Sequence, residues 1–327
     1  MPIPLNSRRG LLAATAAMAA ATIARPAWPQ APAGMRKLFV GFPAGGTADS
    51  LGRALAQQLA DASASYVVEN KTGASGQLAA DAVRLAIPDG GSLLLTPSSV
   101  MTLVPQLYKK PMYDTQRDFV PVACVCDHSF ALAVNGTSPH TSVAAFMAWA
   151  RANPSATTYA TPGPGSGPHF LGTMMGRELG APLVHVPYRG VVPGLQDLMG
   201  GQVACTFNPL PTMLEYHRAG RIRILAVTSP QRLASLPDVP TFAEAGHPNL
   251  QLVEWYGLFA SAKVAAATTT RLGSEVRRAM ASPEMLAAAK RLEVVPRYED
   301  GAALARLVQQ DQDRWRGLVA STGIQLD

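Results

Sequence analysis

The 327-residue chain is 48% hydrophobic and 15% charged, enough apolar material for one large or two ordinary domains and too little charge for wholesale disorder. Its formal charge of +6 shrinks once Arg8, Arg9 and Arg25 are set aside, because the rest carries 25 basic residues against 22 acidic ones. No run of lysine and arginine interleaved with aromatics occurs, so nucleic-acid binding has little support.

Ser7-Arg8-Arg9-Gly10-Leu11-Leu12 opens an apolar, alanine-rich run over 11–24, and Ala31-Pro32-Ala33 offers a small-x-small cleavage point. A positive start, a short apolar middle and a small-residue end read as a secretory signal over 1–33, with the paired arginines of a twin-arginine signal. The run is too short to span a bilayer comfortably, so the mature chain is expected to be soluble and periplasmic.

From there strands and helices alternate. Residues 37–42 form a strand, followed by a glycine turn and a helix over 48–60 with Leu51, Leu55 and Leu59 on one face. Residues 66–69 form a second strand, Gly73-Ala74-Ser75-Gly76 a turn, and Leu78, Ala82 and Val83 the inward face of a helix. Pro88-Asp89-Gly90 turns into a third strand over 92–96. This order implies a parallel sheet with right-handed crossovers.

The alternation restarts with a helix over 142–152, stopped by Asn153-Pro154, and a strand over 159–161. Pro162-Gly163-Pro164-Gly165-Ser166-Gly167 leads into a helix over 168–179. Strands at 184–186, 203–207 and 223–228 alternate with helices ending near Met199 and Gly220. Thr241 and Glu244 have capping-box spacing. The tail beyond Thr268 is helical, apart from a short strand near Val294-Val295.

Two lobes are therefore expected, 34–132 plus 254–327 and 133–253. The crossing strands, hinge candidates, lie near 131–134 and 255–259. Cys124 and Cys126 would share one face of a strand, where bridging is geometrically poor, so the three cysteines (with Cys205) read as small buried residues. No Cys/His spacing suggests zinc, and neither cofactor nor metal is expected.

Gly45-Gly46-Thr47-Ala48-Asp49 and Gly163-Pro164-Gly165-Ser166-Gly167 each open a helix. A helix N-terminus has unpaired backbone N–H groups and about half a positive charge, and glycine lets an anion approach them. One turn per lobe, facing across a cleft at the strand carboxyl ends, could bridge a dicarboxylate; simple turn geometry is the other reading. Asp49 either caps its helix, neutralised by Arg53 one turn on, or orients a ligand. Arg189 either pairs a ligand carboxylate or braces its loop, and the brace is favoured. Tyr188 either donates into the cleft or packs as a wall. Ser98 and Ser99 are hydroxyl donors at the same sheet edge or ordinary loop serines.

Neither turn completes a nucleotide-binding fingerprint or a G-x-S-x-G elbow. Ser166, His169, His185 and Asp197 leave a serine hydrolase as a remote alternative.

Phe42-Pro43-Ala44-Gly45-Gly46-Thr47-Ala48-Asp49 with Arg53 resembles the first motif of the Bug family, the extracytoplasmic solute receptors of tripartite tricarboxylate transporters. Glu69-Asn70-Lys71-Thr72-Gly73-Ala74-Ser75-Gly76, Pro88-Asp89-Gly90, His185-Val186-Pro187-Tyr188-Arg189-Gly190 and Gly200-Gly201-Gln202-Val203 follow in matching order. So do Ala226-Val227-Thr228-Ser229, Arg232 and Leu236-Pro237-Asp238-Val239-Pro240-Thr241 with Glu244-Ala245-Gly246. The resemblance covers nearly the whole mature chain. It implies an α/β, two-lobed periplasmic-binding-protein fold of type II topology. It also implies that the first motif and the loop from Thr161 to His169 grip carboxylates, largely through backbone N–H groups and ordered water. The implied partners are a small carboxylate (di- or tricarboxylate, amino acid or aromatic acid) and membrane permease subunits, or a signalling protein in a sensory role. The implied receptor is a monomer and not an enzyme.

Overall fold

A computed structural model describes residues 34–59 and 64–326; the export signal expected over 1–33 lies outside them. β1 (Gly34–Val40) runs through a glycine turn into α1 (Thr47–Leu59), whose Leu51, Leu55 and Leu59 are buried along one face. β2 (Ala64–Asn70), α2 (Gln77–Leu85) and β3 (Ser92–Pro97) complete the first alternation. Three short helices follow, α3 (Ser98–Thr102), α4 (Val104–Leu107) and α5 (Thr115–Asp118). Periodicity does not reveal them, because a helix of four or five residues has no repeating face.

β4 (Phe119–Asn135) is 17 residues long. Then come α6 (Val143–Ala152), β5 (Thr158–Thr161), α7 (Gly167–Leu179), β6 (Val184–Pro187) and α8 (Val191–Met199). β7 (Cys205–Pro209), α9 (Leu214–Arg218) and β8 (Ile222–Val227) close the second alternation. The chain ends with β9 (Val253–Ser261), α10 (Ala266–Met280), α11 (Pro283–Arg291), β10 (Val295–Asp300) and α12 (Gly301–Thr322). The Thr241–Glu244 capping box forms both of its bonds, Glu244 N to Thr241 Oγ1 at 3.1 Å and Thr241 N to Glu244 Oε2 at 2.8 Å, yet turns follow it and not a helix.

The strands run in the order β2-β1-β3-β9-β4-β7-β5-β6, with β10 and β8 also paired to β4. β1 is parallel to β3, and β5 to both β6 and β7, as strand–helix–strand crossovers require. β4 joins two halves of the sheet. Its first part lies between β9 and β10, and its second part between β7 and β8. β9 pairs only with β3 and the first part of β4, so the return crossing lies ahead of it. There Thr228 Oγ1 donates to Leu252 O at 2.6 Å and accepts from Phe130 N at 2.8 Å.

Alternate strand residues fill cores on both faces. In the first half Leu38, Leu93, Leu258 and helices α1, α10 and α11 pack on one side; Phe39, Leu94, Phe259 and α2 pack on the other. α12 adds Leu304 and Val308 to the latter and places Trp315 in the core of the second half. The cysteines depart from expectation. Cys124 pairs with Gly257 and Cys126 with the adjacent Tyr256, so Val125 is an extra residue in a bulge. The bulge turns Cys124 and Cys126 to opposite faces of the sheet, in different cores; all three cysteines are free and buried. No helix among the described residues is long and apolar enough to cross a membrane.

Candidate ligand site

Two adjoining cavities of about 240 and 440 Å³ open at the carboxyl ends of β1, β3, β5 and β6, and share Pro43, Pro162, Ser166 and Arg189 in their walls. Their linings come from both halves of the sheet. The halves also touch directly: Ser75 Oγ donates to Pro164 O at 2.7 Å, and a side chain on Gly190 would meet the ring of Pro43 at 2.9 Å.

The first turn is built by its own aspartate. Gly45, at φ +83°, donates its N–H to Asp49 Oδ2 at 3.0 Å, and Arg53 binds the same oxygen at 3.0 Å. Burial pushes the Asp49 carboxyl up, but the bonds from Arg53 and Gly45 outweigh it and hold the group below its ordinary value. Gly46 accepts from Ser50 N and starts α1. The N–H groups of Gly46, Thr47 and Ala48 then have no acceptor among the described residues, as the first turn of a helix must leave them. These three residues line the smaller cavity, and a Cβ on Gly46 would meet nothing closer than 3.5 Å.

The second turn is occupied in part by its own side chains, while the N–H groups of Ser166 and Gly167, which line the smaller cavity, have no acceptor among the described residues. Gly165 N donates to His169 Nδ1 at 3.1 Å, and Ser166 Oγ donates to Gly163 O at 2.7 Å. Pro168, inside the first turn of α7, has no N–H to offer. His169 stacks on His185 with ring centroids 3.9 Å apart, and His185 Nε2 lies 2.7 Å from Thr161 Oγ1. Burial lowers His169 to about 4; burial, with His169 beside it, lowers His185 to about 3. Both rings are therefore neutral and act as a brace for the loop. No histidine among the described residues is bonded to Ser166, and Asp197 accepts instead from Tyr188 Oη at 2.6 Å.

Of the sequence-derived site residues, Gly46, Thr47, Ala48, Ser99, Ser166 and Gly167 line the smaller cavity. Ser99 and Ser166 also line the larger one, with Gly163, Gly165 and Tyr188. Gly45, Asp49, Ser98, Thr161 and His169 line neither cavity; Gly45 is exposed and the other four are buried. Arg189 lines both cavities, is exposed, and forms no hydrogen bond or ion pair among the described residues. The favoured brace is not formed by its guanidinium.

The residues that sequence reasoning missed lie on strands. His128 on β4 and Glu254 on β9 are each 3% exposed and line the smaller cavity. Both carry a buried polar atom without a partner, His128 Nδ1 and Glu254 Oε1, as does Thr47 at Oγ1. Burial pushes His128 down to about 3 and Glu254 up to about 7. Phe42, Pro97, Phe130, Val191, Pro209 and Tyr256 make most of the remaining wall apolar.

Residues 48–324 match the family model described as "Tripartite tricarboxylate transporter family receptor". The protein BugT of Bordetella pertussis is 31% identical over 323 residues, 97% of this chain and 97% of BugT. Among solved structures, Rpa4515 of R. palustris with adipate has a TM-score of 0.85 and 30% identity, covering 91% of this chain and 99% of that one. MatC (Rpa3494) from Rhodopseudomonas palustris with bound malate has a TM-score of 0.82 and 29% identity, covering 87% and 98%. The fold is thus that of the periplasmic binding proteins, and the chain belongs to the Bug-type solute-binding receptors of the tripartite tricarboxylate transporter family.

Proposed function

We propose that this chain captures a small carboxylate in the smaller cavity, outside the cytoplasmic membrane, and passes it to the permease subunits of a tripartite tricarboxylate transporter. The carrying observation is the first turn of α1. Three unpaired backbone N–H groups and the unpartnered Thr47 hydroxyl stand together on a cavity wall that a carboxylate can approach. The acids present in the structures of Rpa4515 and MatC support the same chemical class.

Capture needs no reaction. Ser166 is bonded to a backbone carbonyl and the nearby histidines brace the loop, so the site works as a binder and not as a hydrolase. The segments 34–132 plus 254–327 act as one lobe and 133–253 as the other, closing about the β4 and 250–253 crossings when the ligand bridges them. The receptor acts as a monomer, with its metal-free site formed by one chain.

Mass spectrometry of the cargo released from protein purified without denaturation tests this reading, with calorimetry of the identified compound. One equivalent of a small carboxylate that rebinds is the expected result. Cargo lacking any carboxylate, or carboxylates that do not rebind, would overturn it.

A further inference from the structure

Among the described residues, Glu254 is the one acidic side chain in the wall of the smaller cavity. It is the second residue of β9. Its Oε2 accepts from Ser99 Oγ at 3.1 Å, while Oε1 is buried and unpartnered. A Cβ on Gly167 would fall 2.2 Å from Oε1, so the carboxyl reaches across the sheet halves to the start of α7. Only glycine permits that approach.

No cation is paired with this acid among the described residues. Ser98 and Ser99 approach it from α3, and Gly167 faces it from the N-terminus of α7, which brings a partial positive charge but no cationic side chain. His128 on β4 is neutral, and Tyr256 on its own strand keeps its proton, because burial lowers the one and raises the other. From α12 comes Asp311, a like charge that is bonded to Trp255 Nε1 at 2.8 Å. Arg189 lies on the exposed rim and is not bonded to Glu254. Burial, with Asp311 adding to it, raises the carboxyl to about 7, where a neighbouring charge decides its state.

A ligand carrying only negative charge would meet this acid as a like charge in an apolar enclosure. A ligand with a protonated nitrogen would satisfy Oε1 and neutralise the acid by a charge-assisted hydrogen bond. We infer that Glu254 is a specificity residue, and that the site takes a carboxylate that also carries a protonated nitrogen, the carboxylate at the first turn of α1 and the nitrogen donating to Glu254 Oε1. Both walls belong to one cavity, and the apolar lining between them suits a hydrocarbon spacer. This inference rests on the carboxylate capture proposed above.

Matched probes test it by calorimetry at pH 8: adipate against 6-aminohexanoate, and glutarate against L-glutamate. The nitrogen-bearing member of each pair should bind the unsubstituted protein about tenfold more tightly or better. Glu254→Gln should lose about tenfold or more for that member and hold or gain affinity for the diacid. Diacids that bind as tightly as their amino counterparts, with affinity falling about tenfold per pH unit above 7, would mean that a protonated Glu254 donates to a second carboxylate, and would overturn the inference. Failure of all four probes to bind would overturn the nitrogen preference, while the carboxylate reading stands or falls separately on the native cargo. The unsubstituted protein decides the matter even where Glu254→Gln does not fold.

Discussion

The two glycine turns look alike in sequence and differ in chemistry. At the first, Asp49 and Arg53 lie behind the loop, and the N–H groups of Gly46, Thr47 and Ala48 face a cavity. At the second, His169 takes the N–H of Gly165, Pro168 has none, and Glu254 abuts Gly167. A helix N-terminus attracts an anion only when its donors remain free. The first turn leaves three donors on the cavity wall, whereas the second leaves those of Ser166 and Gly167 and sets an acceptor, Glu254, beside them. The pair is thus unequal in the folded chain, because an acid stands against the donors of the second turn and none lines the cavity beside those of the first.

Three substitutions sharpen that contrast. The largest effect is expected from Glu254→Gln. An acid with a folded value of about 7 and an ordinary value of 4.5 weakens the folded state as pH rises between those values, and by a constant amount above them. Removing its charge should stabilise the protein by about 2–4 kcal/mol at pH 8 and by almost nothing at pH 4. Denaturant titration at the two pH values reads this, and an equal change at both would break the assignment of Glu254 as a buried acid without a paired cation. Next comes Gly167→Ala, whose new methyl group must displace the carboxyl; a loss of about 1–3 kcal/mol in thermal or denaturant stability is expected. An unchanged midpoint would mean that Glu254 moves aside freely. The smallest effect belongs to Thr47→Ala, which removes one hydroxyl donor from the first turn and should weaken ligand binding by about 1–2 kcal/mol in calorimetry. Tighter binding would remove Thr47 from the donor wall.

The alternation of strands and helices was legible, because Leu51, Leu55 and Leu59 and the glycine turns mark periods and stops that local chemistry sets. The turn at Gly45–Thr47 was legible for the same reason. The acceptor wall was not. His128 and Glu254 lie on strands that bury both faces, where a polar residue is placed by distant partners such as Ser99 and Gly167. A signal existed, since Glu254 is an acid set between Val253 and Trp255-Tyr256, and a charge within an apolar strand needs a partner. The separation of Cys124 from Cys126 was hidden too, because the bulge at Val125 is fixed by pairing with β9 and leaves no mark in the local sequence.

Backbone capture at α1 is tested most directly by paired calorimetry of Gly46→Val and Arg189→Ala against the unsubstituted protein, with the cargo identified from native protein as titrant. Gly46 has room for a side chain within the protein and lies at a φ that valine can adopt, so that variant should keep its circular dichroism spectrum while its branched side chain covers the N–H groups. The account predicts a loss of about 100-fold or more for Gly46→Val and of about tenfold or less for the exposed Arg189→Ala. Unchanged binding by Gly46→Val, together with complete loss in a folded Arg189→Ala, would contradict it and assign the carboxylate to the guanidinium.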